Sequence, residues 1–218
     1  MGTAKTVGVY TQVSEGEKTA GTETALRSFS PADVKAMVET HDTSRTGVYR
    51  EIWVGAGAMI PRTTNGAAAA TVELATNDVM LDVLDFDTAT EEGVGFEMAF
   101  PSVWDLDAVK AKFYWTAGSG SGGVAWGIRA RANADDDAMD SAFGTEQVVT
   151  DTFITANDCH ISDASAAITI GNTPAAGDLI VWEITREVAN GSDTLAVDAR
   201  LIGVLIQYLE SSTEPTIW

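Results

Sequence analysis

The chain has 218 residues, a formal net charge of −19 and a hydrophobic content of 45%. This length can bury a full hydrophobic core, and the apolar content together with only five prolines excludes wholesale disorder. The charge excludes binding driven by phosphate contacts, to nucleic acid or to an anionic membrane, because such contacts need clustered lysine and arginine. No apolar run approaches the roughly 18 residues that a membrane span needs.

The first 48 residues predict an attachment arm followed by a short helix. Ser30 is placed as the N-cap of this helix and Pro31 as its first residue. The apolar stripe of the helix consists of Val34, Met37 and Val38. Because so short a helix is not stable alone, we expect it to dock on the main domain or on a neighbouring subunit. The predicted division is therefore an arm and helix over 1–48 and a second domain over 49–218.

From Tyr49 onward the pattern is that of β-strands. Asn65-Gly66 predicts a turn, and the segment 67–70 is interpreted as loop or strand. One strand should place Val94, Phe96, Met98 and Phe100 on the same face. The run 201–208 is apolar on both faces apart from Gln207, which predicts a central strand or one covered by a partner subunit.

The stretch from Val109 to Ala130 shows the clearest alternation in the chain. It predicts two strands hinged on the Gly/Ser loop 118–123, whose glycines suit positive φ angles. The inward positions are Val109, Ala111, Phe113 and Trp115 in the first strand, and Val124, Trp126, Ile128 and Ala130 in the second. We interpret the pair as a hairpin that belongs to the scaffold.

Strand spacing and turn residues together assign the fold class. Strands recur about every 12 to 18 residues between Gly, Asn and Asp, a spacing that suits an antiparallel sandwich. The sequence thus predicts an all-β, jelly-roll-like antiparallel β-sandwich preceded by an extended arm and one short helix.

The chain offers little for nucleophilic or metal chemistry. Cys159 is the one cysteine, which excludes an intrachain disulfide, and we expect it to be buried. Its neighbour His160 cannot act with it as a dyad, because adjacent strand residues point to opposite faces. We therefore predict a protein that is not an enzyme and that carries no cofactor.

Two acidic segments were considered as sites. Asp135, Asp137 and Asp140 could present oxygens to Ca²⁺, but the glycine and closing glutamate of an EF-hand loop are missing. A solvated loop is the preferred interpretation there. The second segment, 85–93, has neighbouring carboxylates on a turn, where nothing fixes the separation that glycoside hydrolysis needs.

The six tryptophans could form a core or a platform for sugar stacking. Trp53, Trp115, Trp126 and Trp182 lie in or beside patterned strands, where core burial is the ordinary explanation. Trp104 and Trp218 are predicted instead to contact a partner, as is the apolar stripe of the helix.

Segments such as REIWVGAGAMIPRTTNGAA and ELATNDVMLDVLDFDTATEEG, within residues 50–210, resemble a structural module of tailed-bacteriophage virion proteins. This resemblance implies a homotrimeric head-decoration, cement or head-fibre protein whose arm is anchored to the major capsid protein or another virion protein. Its location would be the virion, after synthesis in the bacterial cytoplasm. The alternative is a tail-fibre module that recognises host surface glycans by Trp or Tyr stacking, and a glycan-degrading enzyme is a third hypothesis.

Overall fold

Two antiparallel β-sheets face each other in the computed structural model, which describes residues 48–107 and 109–211. Sheet A contains β1 (Val48–Gly55), β3 (Ala68–Leu74), β4 (Val79–Phe86), β6 (Lys110–Thr116), β9 (His160–Ile161) and β11 (Ala199–Glu210). Sheet B contains β2 (Ile60–Pro61), β5 (Gly93–Ala99), β7 (Gly123–Asn133), β8 (Gln147–Thr152) and β10 (Leu179–Arg186). A single 3₁₀ turn, Ala56–Ala58, follows β1. This arrangement confirms the predicted all-β sandwich.

Several predicted features lie outside the described residues. These are the N-terminal arm, the helix with its stripe of Val34, Met37 and Val38, and Trp218. The division of the chain at residue 48 likewise stays a prediction. Within the part that the structure describes, no helix is long and apolar enough to cross a bilayer.

The chain crosses repeatedly from one sheet to the other. Strand β4 lies in sheet A and the next strand, β5, in sheet B. In the same way, β6 lies in sheet A and β7 in sheet B. The last two strands then fill the centres, with β11 between β4 and β6 and β10 between β5 and β7. Strand β11 also pairs with β1 over Gly203–Glu210, so the two-sided apolar run is the central strand that the sequence predicted.

The predicted hairpin between residues 109 and 130 is wrong in one respect. Both arms form strands with the predicted inward residues, but β6 and β7 belong to opposite sheets and do not pair. The Gly/Ser loop crosses the sandwich and packs against the chain near Thr194. Gly122 has φ +100°, and a Cβ there would lie 2.9 Å from the Thr194 carbonyl oxygen. Glycine is therefore required at this crossing by both conformation and space.

The core between the sheets is built from aromatic side chains. Trp115, Trp126 and Trp182 are fully buried, as their alternation predicted. Phe86 meets Trp126 edge-on with ring centroids 5.1 Å apart, and Phe96 stacks on Trp182 at 5.9 Å. Such pairs add to the free energy gained by removing each side chain from water, about 1.5–3 kcal/mol apiece.

Trp104 occupies a core position instead of the predicted surface contact. It is 3% exposed, and its ring packs edge-on at 4.7 Å from Phe100. The turn after Pro101 directs it inward, since the Trp104 N–H donates to the Pro101 carbonyl at 2.9 Å. Its indole N–H donates to the Asp107 carbonyl, so Trp104 closes one end of the core.

Candidate functional site

The outward face of sheet A carries an unusual group of aromatic side chains. In β1, Ile52 and Val54 pack on the core, so the alternate residues Tyr49 and Trp53 face outward. Tyr114 joins them from β6, because its ring meets that of Trp53. We call Tyr49, Trp53 and Tyr114 the aromatic face.

Trp53 is held in place while much of its ring remains in water. Its strand partner is Leu205, but the ring leans over Gly203, where a Cβ would come within 2.5 Å of the Trp53 Cζ2 atom. Tyr114 pairs with Gly203 from the other side, and its ring stands at 87° to the indole with centroids 5.0 Å apart. The indole is nevertheless 48% exposed. The ring is thus held by its neighbours, while about half of its surface stays accessible to a ligand.

The exposed surface extends along β1 beyond Trp53. Tyr49 is 63% exposed and lies opposite Leu209. Four residues of strand separate it from Trp53, which corresponds to about 13 Å. Leu205 is half-buried between Trp53 and Lys112 of β6, and Leu209 is half-buried between Tyr49 and Asp105, whose backbone N–H donates to the Leu209 carbonyl. The result is two apolar patches, Trp53 with Leu205 and Tyr49 with Leu209, at a spacing along β1 that suits an extended ligand.

A row of polar side chains crosses the face between these two patches. In the row next to Trp53, Glu51 lies opposite Gln207, which lies opposite Lys110. The Gln207 amide donates to the Glu51 carboxylate at 3.2 Å. Lys112 lies opposite Leu205, in the same row as Trp53. Hydroxyl, carboxylate and amide groups of a ligand would therefore find hydrogen-bonding partners between the two apolar patches and beside Leu205.

The prediction that Trp53 is buried in the core is wrong, because its position in a patterned strand does not by itself show which face it occupies. A signal was present in the parity of REIWVG, where Ile52 and Val54 form the apolar set and Glu51 and Trp53 share the other side. A charged residue two positions away on the same side of a strand indicates that the tryptophan faces solvent.

The outer face of sheet B carries a second polar group, centred on Glu183. Arg62 donates from Nε to this carboxylate at 2.6 Å, and Arg129 contacts it from the other side. Burial pushes the pKa of Glu183 upward, but the hydrogen bonds and charges of the two arginines outweigh it and leave this pKa below its usual value. A carboxylate so fully engaged is suited to holding strands together rather than to proton transfer.

Two further glutamates on this face share one hydroxyl. The Thr185 Oγ1 atom lies 2.7 Å from Glu187 and 3.2 Å from Glu146. Burial raises the pKa of Glu146, and repulsion from Glu187 raises it further. Since one hydroxyl supplies one hydrogen, a proton on Glu146 would complete the second contact. The Glu146 carboxyl can thus retain a proton more tightly than a free carboxylate.

The candidate calcium ligands do not come together as a site. Asp135, Asp137 and Asp140 are all exposed. The Asp137 carboxylate accepts from the Ala134 N–H at 2.9 Å and from the Asn172 amide at 3.1 Å, so it caps a turn. No three His, Cys, Asp or Glu side chains are grouped to hold a metal ion anywhere in residues 48–107 or 109–211.

The other titratable groups singled out in the sequence also have structural positions. Asp87 accepts from the backbone N–H groups of Ala89 and Thr90, which lowers its pKa, and Asp85 pairs with Arg200 at 3.2 Å. Cys159 is exposed, so the predicted burial is wrong. It precedes the two-residue strand β9 and points to the opposite side from the buried His160.

No known protein family matches the chain, and no curated protein sequence matches it. Among solved structures, it is similar to the CBM22-2 xylan-binding domain of Xyn10C from Paenibacillus barcinonensis, with 14% identity, a TM-score of 0.41, and coverage of 70% of this chain and 92% of that one. It is also similar to the family 11 carbohydrate-binding module from Clostridium thermocellum, solved with a β-1,3-1,4-mixed-linked tetrasaccharide, with 10% identity, a TM-score of 0.42 and coverages of 77% and 98%. A third similar structure is CBM28, a carbohydrate-binding module specific for non-crystalline cellulose, with 12% identity, a TM-score of 0.39 and coverages of 71% and 88%. At these values the likeness describes a β-sandwich that resembles carbohydrate-binding modules, and it carries no information about a ligand of this chain.

Proposed function

We propose that this chain is a non-catalytic β-sandwich module that binds a polysaccharide on the aromatic face. The observation that supports this proposal is the position of Trp53, half exposed yet fixed between Gly203 and Tyr114. An aromatic ring that is already ordered loses little conformational freedom when a ligand stacks on it. A sugar ring offers an apolar face for the indole and hydroxyl groups for the polar row next to Trp53.

The shape of the aromatic face favours a polymer over a single sugar. Tyr49 and Trp53 are about 13 Å apart along β1. A ligand that contacts both must extend along the strand, and contacts at two positions on one molecule strengthen each other through a high effective concentration. Extended polysaccharides meet both requirements.

A glycan array with the full-length protein tests this proposal, followed by calorimetric titration of the best ligand. Trp53→Ala should weaken binding by at least about tenfold, the size expected for loss of an aromatic anchor. Ile60→Ala serves as the matched control, because Ile60 is as exposed but lies on β2 of sheet B. Binding that survives Trp53→Ala unchanged, or no binding to any glycan, would contradict the proposal.

The setting that we propose for this activity is a bacteriophage tail fibre that contacts host surface glycans. The sequence resemblance over residues 50–210 supports this setting. Immunogold labelling of purified particles tests it with antibody against the chain. Label on the tail is the expected result, and unlabelled particles would contradict a virion location.

A structural role in the virion is the second candidate, favoured by the composition of β11. Its outward residues Leu205 and Leu209 are apolar, as a subunit interface would require. In that case the aromatic face would be covered by another subunit in a homotrimer, and residues 1–48 would attach the protein to the capsid. Sedimentation analysis distinguishes the two functions, since a trimer that Leu205→Glu dissociates supports the structural role and a monomer excludes it.

A further inference from the structure

We infer that the ligand of the aromatic face is an acidic polysaccharide, whose carboxylate or sulfate groups contact Lys110 and Lys112. This inference rests on the proposed function and adds the chemical class of the ligand. It follows from the placement of cationic side chains in a chain with 32 acidic and 13 basic residues.

Lys110 and Lys112 are the only lysines among the described residues, and both project from β6 beside the aromatic face. Both are exposed, and neither is within ion-pair distance of a carboxylate of the described chain. Two adjacent unpaired lysines therefore mark a place where the local charge differs from that of the whole molecule.

The arginines follow the opposite pattern. The arginines that form ion pairs with aspartate or glutamate are Arg50, Arg62, Arg129, Arg186 and Arg200. The remaining described arginine, Arg131, is buried on sheet B beside the ring of Phe143. Exposed positive charge that is free for a ligand is thus confined, in the described residues, to the border of the aromatic face.

The distances suit a sugar that carries an anionic group. Lys112 is opposite Leu205, which is opposite Trp53, so two strand spacings of about 4.8 Å each separate the backbone positions. A sugar ring stacked on Trp53 would place a substituent within reach of the flexible Lys112 side chain. An ammonium group binds carboxylate and sulfate alike, because it acts as a compact charge with three donors.

The overall charge of −19 does not prevent this contact. At physiological ionic strength, charges more than about 8 Å away are largely screened, so the side chains at the site decide the interaction. Carboxylate residues lie around the face at Glu51, which accepts from Gln207, at Asp105, whose backbone N–H donates to Leu209, and at Asp163, two residues after the Tyr114 partner Ile161. None of them forms an ion pair with Lys110 or Lys112, so an anionic group would bind at these two lysines and the uncharged part of the ligand toward β1.

Two matched pairs of polymers test the inference with the full-length protein. The first pair is polygalacturonate and its methyl ester, and the second is hyaluronan and its carboxyl-reduced form. Within each pair the backbone is shared and only the charge differs. We expect the acidic member of at least one pair to bind about tenfold more tightly, with affinity falling as salt rises from about 0.05 to about 0.5 M. A glycan array that includes sulfated and uronic-acid glycans extends the test to other backbones.

Variants distinguish the inference from the proposed function. Lys112→Gln should weaken binding of the acidic polymer several-fold more than binding of its neutral counterpart, whereas Trp53→Ala should weaken both to a similar extent. Arg50→Gln is the control, because it removes the same charge from the opposite side of β1. The inference would be overturned, and the proposed function kept, if neutral glycans bound as tightly as acidic ones or more tightly, and if this binding were lost in Trp53→Ala but not in Lys112→Gln. Absence of binding across the polymers and the array would overturn both.

Discussion

Arg186 and Asp193 form a fully buried ion pair that fastens the loop after β10 to the sandwich. The Arg186 Nε and Nη2 atoms donate to the Asp193 carboxylate at 3.0 and 2.8 Å. The remaining donors reach the carbonyl oxygens of Phe86, Val197 and Leu195, so all five N–H groups of the guanidinium are engaged. A buried charge is tolerated where every donor is satisfied, and the geometry here meets that condition.

We expect Asp193→Asn to destabilise the protein by about 3–5 kcal/mol, the usual cost of leaving one member of a buried pair without its partner. Urea unfolding followed by near-ultraviolet circular dichroism measures this change. Arg50→Met is the control, since the pair of Arg50 with Glu210 is exposed and its removal should leave the unfolding midpoint nearly unchanged. Equal effects of the two substitutions would contradict the assigned role of Arg186.

Gly203→Ala should disturb the aromatic face without changing any ligand-contacting side chain. The added Cβ would lie 2.5 Å from the Trp53 ring and 2.6 Å from the Val54 carbonyl oxygen, which the backbone of β1 cannot avoid. We expect a loss of about 1–3 kcal/mol in stability from this overpacking, together with weaker glycan binding. Thermal unfolding and calorimetric titration measure both. Gly191→Ala is the matched control, since nothing lies near its added Cβ, and both quantities should remain unchanged.

The glutamates on sheet B predict two opposite pH dependences of stability. Glu183 has a native pKa below its ordinary value of 4.5, so its contribution is complete above pH 4.5 and disappears as pH falls through the native pKa. Glu146 has a native pKa above 4.5, so its contribution is complete below pH 4.5 and disappears as pH rises through that pKa. The free energy of unfolding should be measured from about pH 3 to about pH 8, a range on both sides of the ordinary glutamate pKa. Over this range, the stability of Glu146→Gln should rise relative to that of wild type as pH rises. The difference between Glu183→Gln and wild type should become smaller in acid, and parallel curves would contradict both assignments.

Cys159 should react in the native protein. Its side chain is exposed, in contrast to the neighbouring His160, which packs at 4.6 Å from the Trp115 ring. We expect Ellman's reagent to label one thiol per chain in buffer without denaturant, at a rate near that of a free thiol. Labelling only after unfolding would show that Cys159 is covered.

The inner faces of the strands could be predicted because burial imposes a two-residue period on the sequence. Phe113 and Trp115 on β6, and Trp126 and Ile128 on β7, are buried as expected. The sheet to which each strand belongs could not be predicted from this pattern. A strand shows the same alternation whether the next strand pairs with it or faces it across the core, so the pattern at 109–130 predicts a hairpin where the structure has a crossing between sheets.

The aromatic face and the buried ion pair depend on contacts between residues far apart in sequence. Trp53 faces outward by the parity of β1, but its ring is held in place by Gly203 of β11, which is far away in sequence. Arg186 continues the inward series of Ile180, Trp182 and Ile184, so its burial could be predicted from the alternation of the strand. The position of its partner Asp193 could not be predicted, because a loop brings the carboxylate back to the core.

The most direct test of glycan binding at the aromatic face is an NMR titration of the full-length, ¹⁵N-labelled protein with the glycan identified on the array. The indole N–H signal of Trp53 should shift with ligand concentration, and Lys112 backbone signals should shift with it. The indole signals of Trp115, Trp126 and Trp182 should stay in place, because these side chains are fully buried. Saturable binding that leaves the Trp53 signal unchanged would contradict the account, since the ligand would then occupy another part of the molecule.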